Sequence, residues 1–401
     1  SYFDSASGIE VKDLDGNTLI DMCIMGIGTN SLGYGDIDVD KAVSQTISKG
    51  NMSTLNCPEE VYLIEKLISM HPWAGMGKLT RSGGEANSVA LRIARASSGK
   101  SKVAICGYHG WHDWYLSANL SSKDGLKEHL LPGLSTKGVP RSLEGDTIPF
   151  FYNNIKSLEK IFTENDDVGV IFMEVQRNDK PQDRFLEKVR ELATKNEAVL
   201  IFDECTSGFR ECFGGLHLKY NVEPDLAMFG KALGNGYAIN AVIGRKEIMQ
   251  AAQDTFISST FWTERVGPSA ALACLEKMNK TKSWEIITEL GGEVKKVWRK
   301  LSAEHKVEIE ISGLDSLASF IFASKNHLVY KTFLTQEMLK KGYLASTIFY
   351  ASTSHSKEII SEYGEALKSI FHKISNVETG KEDIKDLLKS PVCHSGFSRL
   401  N

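Results

Sequence analysis

The sequence predicts an α/β fold with a large, mainly parallel sheet whose two faces are covered by helices. Three short apolar runs carry this prediction, at residues 103–106, 168–173 and 199–202, because strands buried on both faces lack the polar alternation of half-exposed strands. The amphipathic stretch at 185–196 separates the last two runs and has the length of a helical crossover between parallel strands. With 401 residues, the chain is long enough for two or three domains.

The other elements follow from apolar spacing, taken in chain order. Residues 8–21 are predicted to form two short strands joined at Asp15-Gly16-Asn17, because Asp-Gly and Gly-Asn pairs supply the positive φ that a tight hairpin needs. Helical spacing occurs at 39–47 and 61–70. Beyond the sheet region we expect helices at 268–278 and 284–301, strands at 307–311, 317–323 and 343–346, and helices at 330–341 and 356–374.

These elements predict two domains. Residues 51–262 would form the large sheet domain, and residues 263–401 a connecting helix followed by a smaller α/β domain. The strands within residues 1–50 have no sheet of their own, so we expect them to join the smaller domain.

Composition and charge exclude several classes of protein. Lys and Arg total 47 against 51 Asp and Glu, a formal charge of −4, so the sequence has no basic excess suited to nucleic acid or anionic lipid. It has neither an 18-residue apolar run nor a charged and then apolar leader, and we expect a cytoplasmic protein without a membrane span. The seven cysteines form no C-x-x-C pair, which favours reduced thiols over a zinc site or disulfides.

Three segments carry candidate chemistry, and the first is Ser82-Gly83-Gly84 before a helical pattern. This segment could be only a turn. Alternatively, its small residues leave the first N–H groups of the helix uncovered, and the helix dipole favours an anion such as phosphate at that end of the helix. The second is Asp203, which follows the apolar run at 199–202. A buried carboxylate needs a cation or a strong donor, although an aspartate at this point could equally cap a helix.

The third segment contains Lys231, which follows an apolar strand pattern and precedes a glycine-rich turn. Its small and apolar neighbours predict a partly desolvated amine with a lowered pKa, the state in which a lysine attacks carbonyl carbons, whereas an ordinary lysine would be solvated. A phosphate cradle, a buried acid and such a lysine, in this order, are what pyridoxal phosphate requires. The acid keeps the pyridine nitrogen protonated, and the ring then accepts electrons from a carbanion.

The three segments lie in longer motifs, Ser82-Gly83-Gly84-Glu85-Ala86-Asn87, Ile201-Phe202-Asp203-Glu204 and Phe229-Gly230-Lys231. In this order and spacing they resemble the Ser-Gly-(Thr/Ser)-Glu-Ala-Asn, Asp-Glu and Gly-Lys motifs of class III aminotransferases, in the fold-type-I pyridoxal-phosphate superfamily. The similarity runs from about Gly8 to His355 and is greatest to the glutamate-1-semialdehyde 2,1-aminomutase branch. It implies a large, mainly parallel sheet domain of the seven-stranded type and a smaller α/β domain.

The resemblance implies a role for several residues. Lys231 would form the Schiff base with pyridoxal phosphate and then shuttle a proton, and Asp203 would pair with the pyridinium. Tyr108 matches the aromatic residue that stacks on the cofactor ring, and His109 follows it. For His109 and His112, ring positioning and ordinary hydrogen bonding are expected, and no metal site is.

Two further segments match the family motifs except at one residue each. Glu174 corresponds to the family's Glu-Pro strand end, but Val175 replaces the proline. Gly83 and Gly84 would donate backbone N–H groups to the phosphate, but the hydroxyl side chain that the family usually carries at position 84 is absent.

The resemblance also implies a homodimer with composite active sites. The family completes its phosphate site with a threonine from the neighbouring subunit; we prefer Thr263 for that role, with Thr260 as the reserve. Arg265 would be either a substrate anchor across the subunit interface or part of an interface salt bridge.

The predicted reaction is amino transfer from an amino-acid donor, with glutamate preferred by family analogy, to a carbonyl acceptor. The alternative is an intramolecular 2,1-aminomutase of the glutamate-1-semialdehyde type. In that enzyme a glutamate lies some eight residues before a C-terminal Ala-His, and the corresponding residue before Ser354-His355 is Thr347, which argues against the alternative. The aminomutase's substrate contacts near its amino terminus would lie before Ser1.

Two other classes of function are disfavoured. A binding or regulatory protein that retains the fold would have no physical reason to keep Asp203, Tyr108 and Lys231 together. A nucleotide-dependent dehydrogenase would need a G-x-G-x-x-G after a strand, and the sequence has none.

Overall fold

The computed structural model describes residues 2–122, 125–127, 129 and 133–396. The chain divides into two compact units. The terminal unit contains Ser1–Lys41 and Cys274–Ser395, and the central unit contains Ala42–Ala273.

The strands, in chain order, are β1 (Phe3–Ser7), β2 (Glu10–Asp13), β3 (Thr18–Met22), β4 (Met76–Thr80), β5 (Lys102–Cys106), β6 (Thr147–Pro149), β7 (Val168–Glu174), β8 (Val199–Asp203), β9 (Leu226–Phe229), β10 (Asn240–Gly244), β11 (Ile309–Ser312), β12 (Leu317–Phe322), β13 (Tyr343–Ala345) and β14 (Ile348–Tyr350).

The helices are α1 (Met25–Gly28), α2 (Ile37–Ile47), α3 (Pro58–Met70), α4 (Gly83–Ser98), α5 (Asp113–Leu116), α6 (Ala118–Ser121), α7 (Ile155–Glu164), α8 (Phe185–Lys195), α9 (His217–Tyr220), α10 (Lys246–Met249), α11 (Val266–Thr281), α12 (Ser283–His305), α13 (His327–Lys340) and α14 (Lys357–Glu378). Short 3-10 turns occupy Arg141–Leu143, Lys231–Gly234, Gln250–Gln253 and Ile384–Asp386.

The central unit is built on a seven-stranded sheet with the order β4-β10-β9-β8-β7-β5-β6. Strands β5 to β9 run parallel to their neighbours in this set, and β10 is antiparallel to both of its neighbours. The apolar runs that predict buried strands form β5, β7 and β8, and every residue of β7 and β8 is buried. The predicted mainly parallel sheet is therefore confirmed.

Helices cover this sheet with apolar faces. In α4, residues Ala86, Val89, Ala90 and Ile93 are buried at helical spacing, and they pack in one cluster with side chains of the sheet strands. In α8, the predicted crossover between β7 and β8, Phe185, Leu186, Val189 and Ala193 are buried.

Parallel pairing brings the carboxyl ends of four strands to one edge of the sheet. Glu174 at the end of β7 pairs with Asp203 at the end of β8, and Asp203 pairs with Met228 near the end of β9. Cys106 at the end of β5 pairs with Met173. In an open α/β sheet this is the edge at which ligands bind.

The terminal unit joins both ends of the chain. Strand β3 pairs in parallel with β13, so that Ile20 lies beside Tyr343, in the sheet β1-β2-β3-β13. The predicted hairpin forms between β2 and β3, with Gly16 at a φ of 86°. The amino-terminal strands β1 to β3 thus share one sheet with β13 from the carboxyl-terminal part of the chain.

A second sheet, β11-β12-β14, and helices α12, α13 and α14 complete the terminal unit. Its core holds Trp298 of α12, whose Nε1 donates to the hydroxyl of Tyr363 on α14 at 3.1 Å. The helical pattern after residue 268 forms two helices, because Lys282 adopts a φ of 51° between α11 and α12.

Among the described residues, no helix combines the length and apolar character needed to cross a bilayer. All seven cysteines are free thiols in this structure.

Two adjacent glycines of α12 give a matched test of packing in the terminal unit. A Cβ at Gly291 would lie 1.7 Å from the carbonyl oxygen of Asp315, whereas a Cβ at Gly292 would meet nothing within 4 Å. We expect Gly291→Ala to destabilise the unit by about 1–3 kcal/mol through overpacking against backbone. Gly292→Ala should instead stabilise it by about 0.5–1 kcal/mol, because alanine favours a helix. Thermal unfolding of both variants checks this, and equal shifts of the two midpoints would contradict it.

Candidate active site

The buried carboxylate of Asp203 lies at the end of β8 and is held by three donors. Its Oδ2 accepts from His109 Nδ1 at 2.9 Å and from Asn87 Nδ2 at 3.2 Å, and its Oδ1 accepts from the backbone N–H of Cys205 at 3.0 Å. Burial alone would raise the pKa of Asp203, but the bonds from His109 and Cys205 outweigh it and hold the pKa below its usual value. The alternative role as a helix cap is wrong, because turns follow Asp203.

His109 is itself buried and oriented by packing. Its ring stacks on Phe172 of β7 with centroids 4.5 Å apart, and it lies nearly parallel to Trp114. Among the described residues, no group of three or more potential ligands could hold a metal ion. The bond from His109 Nδ1 to Asp203 and the packing of its ring hold the histidine against this carboxylate.

Lys231 follows β9 and begins a 3-10 turn with a φ of 46°. Its Nζ donates to the Thr206 hydroxyl at 2.8 Å. Burial lowers the pKa of this amine, although Cys205, Glu174 and Asp203 nearby act in the opposite direction. Lys231 is half-buried, and the direction of this pKa change is the one that its small and apolar neighbours predict.

The amino-terminal end of α4 presents free amide groups. Ser82 caps the helix by accepting from the Glu85 N–H at 3.4 Å. Among the described residues, the N–H groups of Gly83 and Gly84 have no acceptor. A Cβ at Gly83 would lie 3.9 Å from the Cys205 Sγ, which places this helix end beside the residues that follow Asp203.

Glu174 positions the backbone of Tyr108. Its Oε2 accepts from the Tyr108 N–H at 3.0 Å, and the same oxygen lies 3.3 Å from Arg177 Nη1. The Arg177 guanidinium lies 5.8 Å from the centroid of the Tyr108 ring. Gly107, with a φ of 115°, leaves room for Glu174, because a Cβ there would lie 2.6 Å from Oε2. Gly107, Glu174 and Arg177 line a cavity of about 210 Å³.

The residues expected at a subunit interface lie apart from these contacts. Thr260 is exposed, and Thr263 is half-buried beside Trp262. Arg265 forms a two-point ion pair with Glu59 of its own chain, at 2.6 and 3.1 Å. Neither role expected for Arg265 included this intrachain pair.

Sequence reasoning missed several residues of the site. Asn87 ends the Ser82-Gly83-Gly84-Glu85-Ala86-Asn87 motif, one helical turn beyond Gly83, and that spacing places its side chain on the same face of α4. Cys205 and Thr206 lie two and three residues after Asp203, but no sequence signal indicates that Thr206 would bind Lys231 and that Cys205 would lie beside Gly83.

These groups fit the cofactor that the sequence predicts. Two free amide N–H groups at a helix end suit a phosphate, and the ionised Asp203 suits a protonated ring nitrogen. With three donors on Asp203, its two oxygens retain acceptor capacity for a further bond. Lys231 provides the amine for the aldehyde carbon.

Comparison with known proteins gives matches over most of the chain. The family model for class-III aminotransferases matches residues 2–352. A 3-aminobutyryl-CoA aminotransferase of Cloacimonas acidaminovorans is 33% identical over 344 residues, covering 84% of this chain and 79% of that protein. A glutamate-1-semialdehyde 2,1-aminomutase of Methanothrix thermoacetophila is 32% identical over 389 residues, covering 92% and 89%.

A solved structure with the same fold is that of the FumI protein from Sphingopyxis sp. MTA144, in a form that carries pyridoxal phosphate. It superimposes with a TM-score of 0.83 at 22% identity and covers 96% of this chain and 92% of its own.

The lowered pKa of Lys231 predicts its reactivity in the apoprotein. We expect reductive trapping by pyridoxal and cyanoborohydride to have its pH midpoint below that of Nα-acetyl-lysine, because burial leaves more of the amine neutral at a given pH. Thr206→Val should lower the midpoint further, by about 0.7 pH unit if the lost hydrogen bond is worth about 1 kcal/mol. Thr206→Ser should not.

Mass spectrometry of the peptide that contains Lys231, across a pH series, measures this midpoint. A midpoint equal to that of the free amine, or equal midpoints for the valine and serine variants, would contradict the assignment.

Proposed function

This chain belongs to the class III aminotransferase family, and on that premise we propose that it moves an amino group from an amino-acid donor, with glutamate the first candidate, to a carbonyl acceptor. Its cofactor is pyridoxal phosphate. When bound, that cofactor supplies an electron-poor ring that takes up the electron pair left at the substrate α-carbon.

The site residues divide the binding of this cofactor among them. The N–H groups of Gly83 and Gly84 would hold the phosphate, and Asp203 would hold the proton on the ring nitrogen. Tyr108 would cover one face of the ring. Support for these roles comes from the free amides at the start of α4 and from the three donors that keep Asp203 ionised.

Lys231 would serve twice. Its Nζ is the amine that retains the cofactor between turnovers, and once a substrate amine replaces it, the same atom takes the α-proton and returns it. Desolvation suits both tasks, because it increases the share of neutral amine, and the Thr206 hydroxyl keeps Nζ in one position. Asp203 needs no proton transfer of its own.

We place the substrate in the cavity beside Tyr108. Arg177 brings a guanidinium to its wall, and Glu174 and Asp179 bring carboxyl groups, so the lining offers both signs of charge to an amino acid that carries an amine and a carboxylate. The curated relative named 3-aminobutyryl-CoA aminotransferase adds β-amino acid thioesters to the substrates to be tried.

The observation that carries the choice of transamination is the residue at position 347. By family resemblance the aminomutase has a glutamate there, and this chain has Thr347, which is buried and whose carbonyl oxygen accepts from the Phe320 N–H at 2.9 Å. A neutral, buried side chain cannot serve as that carboxylate.

The 2,1-aminomutase remains the second candidate, because a curated aminomutase is 32% identical over 92% of this chain. Both reactions use the same lysine and acid. They differ in where the amino group goes. A transaminase passes it to a second substrate, whereas the aminomutase returns it to the molecule from which it came.

Mixing the holoenzyme with one amino donor at a time tests the proposed reaction. We expect glutamate to convert the cofactor absorbance to that of the amine form and to release 2-oxoglutarate in a single turnover. Lys231→Ala should slow this step by at least about 10²-fold, because the α-proton loses its acceptor.

If no donor in a broad panel changes the absorbance, transamination is wrong. Formation of 5-aminolevulinate from glutamate 1-semialdehyde, without any donor, would establish the aminomutase instead.

We also propose that two copies of the chain form a homodimer. In the central unit, large apolar side chains are exposed in two segments, with Leu55 80%, Phe256 84% and Phe261 61% accessible. Hydrogen bonds tie these segments together, because the Arg265 N–H donates to the Asn51 carbonyl at 2.9 Å. The exposed patch adjoins Thr260 and Thr263, and the family resemblance implies that a partner covering it would receive one of these threonines at its own phosphate site.

Subunit complementation tests the composite site. We expect Lys231→Ala homodimers to be inactive and Thr263→Ala homodimers to bind pyridoxal phosphate weakly. In a refolded mixture, the mixed dimer has one site with both residues intact, so activity should return.

Analytical ultracentrifugation supplies the oligomeric state. Restoration with Thr260→Ala but not with Thr263→Ala would move the role to Thr260. A monomer, or no restoration with either threonine variant, would overturn the proposal.

A further inference from the structure

We propose that the imidazole of His112 replaces the hydroxyl side chain missing at position 84 and donates a hydrogen bond from Nε2 to the cofactor phosphate. This inference rests on the cofactor site of the proposed function, and it holds for either amino-transfer reaction. His112 would act as a positioning residue for the cofactor.

The His112 ring fills the space that a side chain at position 84 would enter. A Cβ built on Gly84 would lie 2.9 Å from His112 Nε2, 3.2 Å from Cδ2 and 3.5 Å from Cε1. All three are ring atoms of the same side chain. A serine or threonine at position 84 would therefore collide with this ring, and Nε2 is the ring atom nearest to the point where the missing side chain would begin.

The loop before His112 passes close to Gly84 at the amino-terminal end of α4. Gly110 has a φ of 94°, a conformation that favours glycine, and a Cβ there would lie 3.4 Å from the Gly84 Cα. Two glycines in close approach thus bring the His112 ring onto the first turn of α4.

A second contact fixes the direction of the ring. His112 Nδ1 lies 2.6 Å from the hydroxyl of Ser88, which stands one turn after Gly84 on the same face of α4. When the Ser88 hydroxyl donates to Nδ1, the proton of the neutral ring is on Nε2, at the end that faces Gly84. Among the described residues, Nε2 has no partner.

The neighbouring cation is engaged elsewhere. Arg81, two residues before Gly83, forms an ion pair with Glu264 at 2.9 Å, and its guanidinium also donates to the carbonyl oxygens of Trp262 and Glu264. A side-chain donor for the phosphate is therefore better supplied from the loop that carries His112 than from the strand end that carries Arg81.

Cofactor binding to the apoprotein tests this inference without any turnover. We expect His112→Ala to weaken binding of pyridoxal phosphate by roughly 10- to 100-fold, the loss typical of one hydrogen bond to a charged group. Binding of pyridoxal, which lacks the phosphate, should not change. The ³¹P resonance of the bound cofactor should also shift in this variant.

The exchange between the two positions gives a sharper test. Gly84→Ser alone should weaken binding of pyridoxal phosphate, because the new side chain meets the ring. The double variant Gly84→Ser/His112→Ala should bind more tightly than either single variant, since the serine then supplies the hydroxyl and has the room to do so. Trp111→Phe, which keeps an aromatic edge against His112, is the matched control and should bind as the unmodified protein does.

Equal losses for pyridoxal and pyridoxal phosphate in His112→Ala would show a merely structural role and overturn the inference. So would a double variant that folds, as judged by thermal unfolding, yet binds no better than His112→Ala. If the unmodified apoprotein failed to bind pyridoxal phosphate at all, the cofactor assignment itself would be wrong, which is a separate outcome.

Discussion

The buried carboxylate of Asp203 is the constraint on which the central unit's site depends. An ionised group at the end of a fully buried strand is costly unless donors replace the lost water. Those donors come from separate parts of the chain: His109 from the loop after β5, Asn87 from α4 and the N–H of Cys205 from the turn after β8. Satisfying one charge therefore fixes a helix and two loops at the same sheet edge, and the free amides of α4 are brought to that edge as a consequence.

Burial acts in opposite directions on the two central groups of this site. For Asp203 it opposes ionisation, and hydrogen bonds overcome it, so the pKa is lowered. For Lys231 it opposes protonation, and neighbouring acids do not overcome it, so the pKa of the amine is lowered as well. One sheet edge thus holds an acid and an amine whose pKa values are both lowered, the acid by hydrogen bonds and the amine by burial. That pairing is what a site needs in order to keep one proton fixed on a ring nitrogen while moving another.

The parts of this fold and site that the sequence predicts are those with a local signal. Strands β5, β7 and β8 are uninterrupted apolar runs, and Asp203 and Lys231 stand where such runs end. Strand β10 was not predicted, since its insertion between β4 and β9 depends on pairing across long stretches of chain. The bond from Lys231 to Thr206 joins residues 25 positions apart, and apolar spacing does not encode the φ of 46° at Lys231. The ion pair of Arg265 with Glu59 likewise joins residues 206 positions apart.

Departures from a family motif gain their meaning from what occupies the space around them. Viewed as sequence, Gly84 and Thr347 are the same kind of change, because each lacks a functional group that the family or its aminomutase branch carries. In the structure they differ. The space beside Gly84 holds the ring of His112, a polar group that can take over a hydrogen bond. Thr347 is buried within the terminal unit, its carbonyl oxygen accepts from the Phe320 N–H of β12, and its own side chain carries no charge. We therefore interpret the first change as one that preserves the phosphate site, and the second as the change on which our choice of transamination depends.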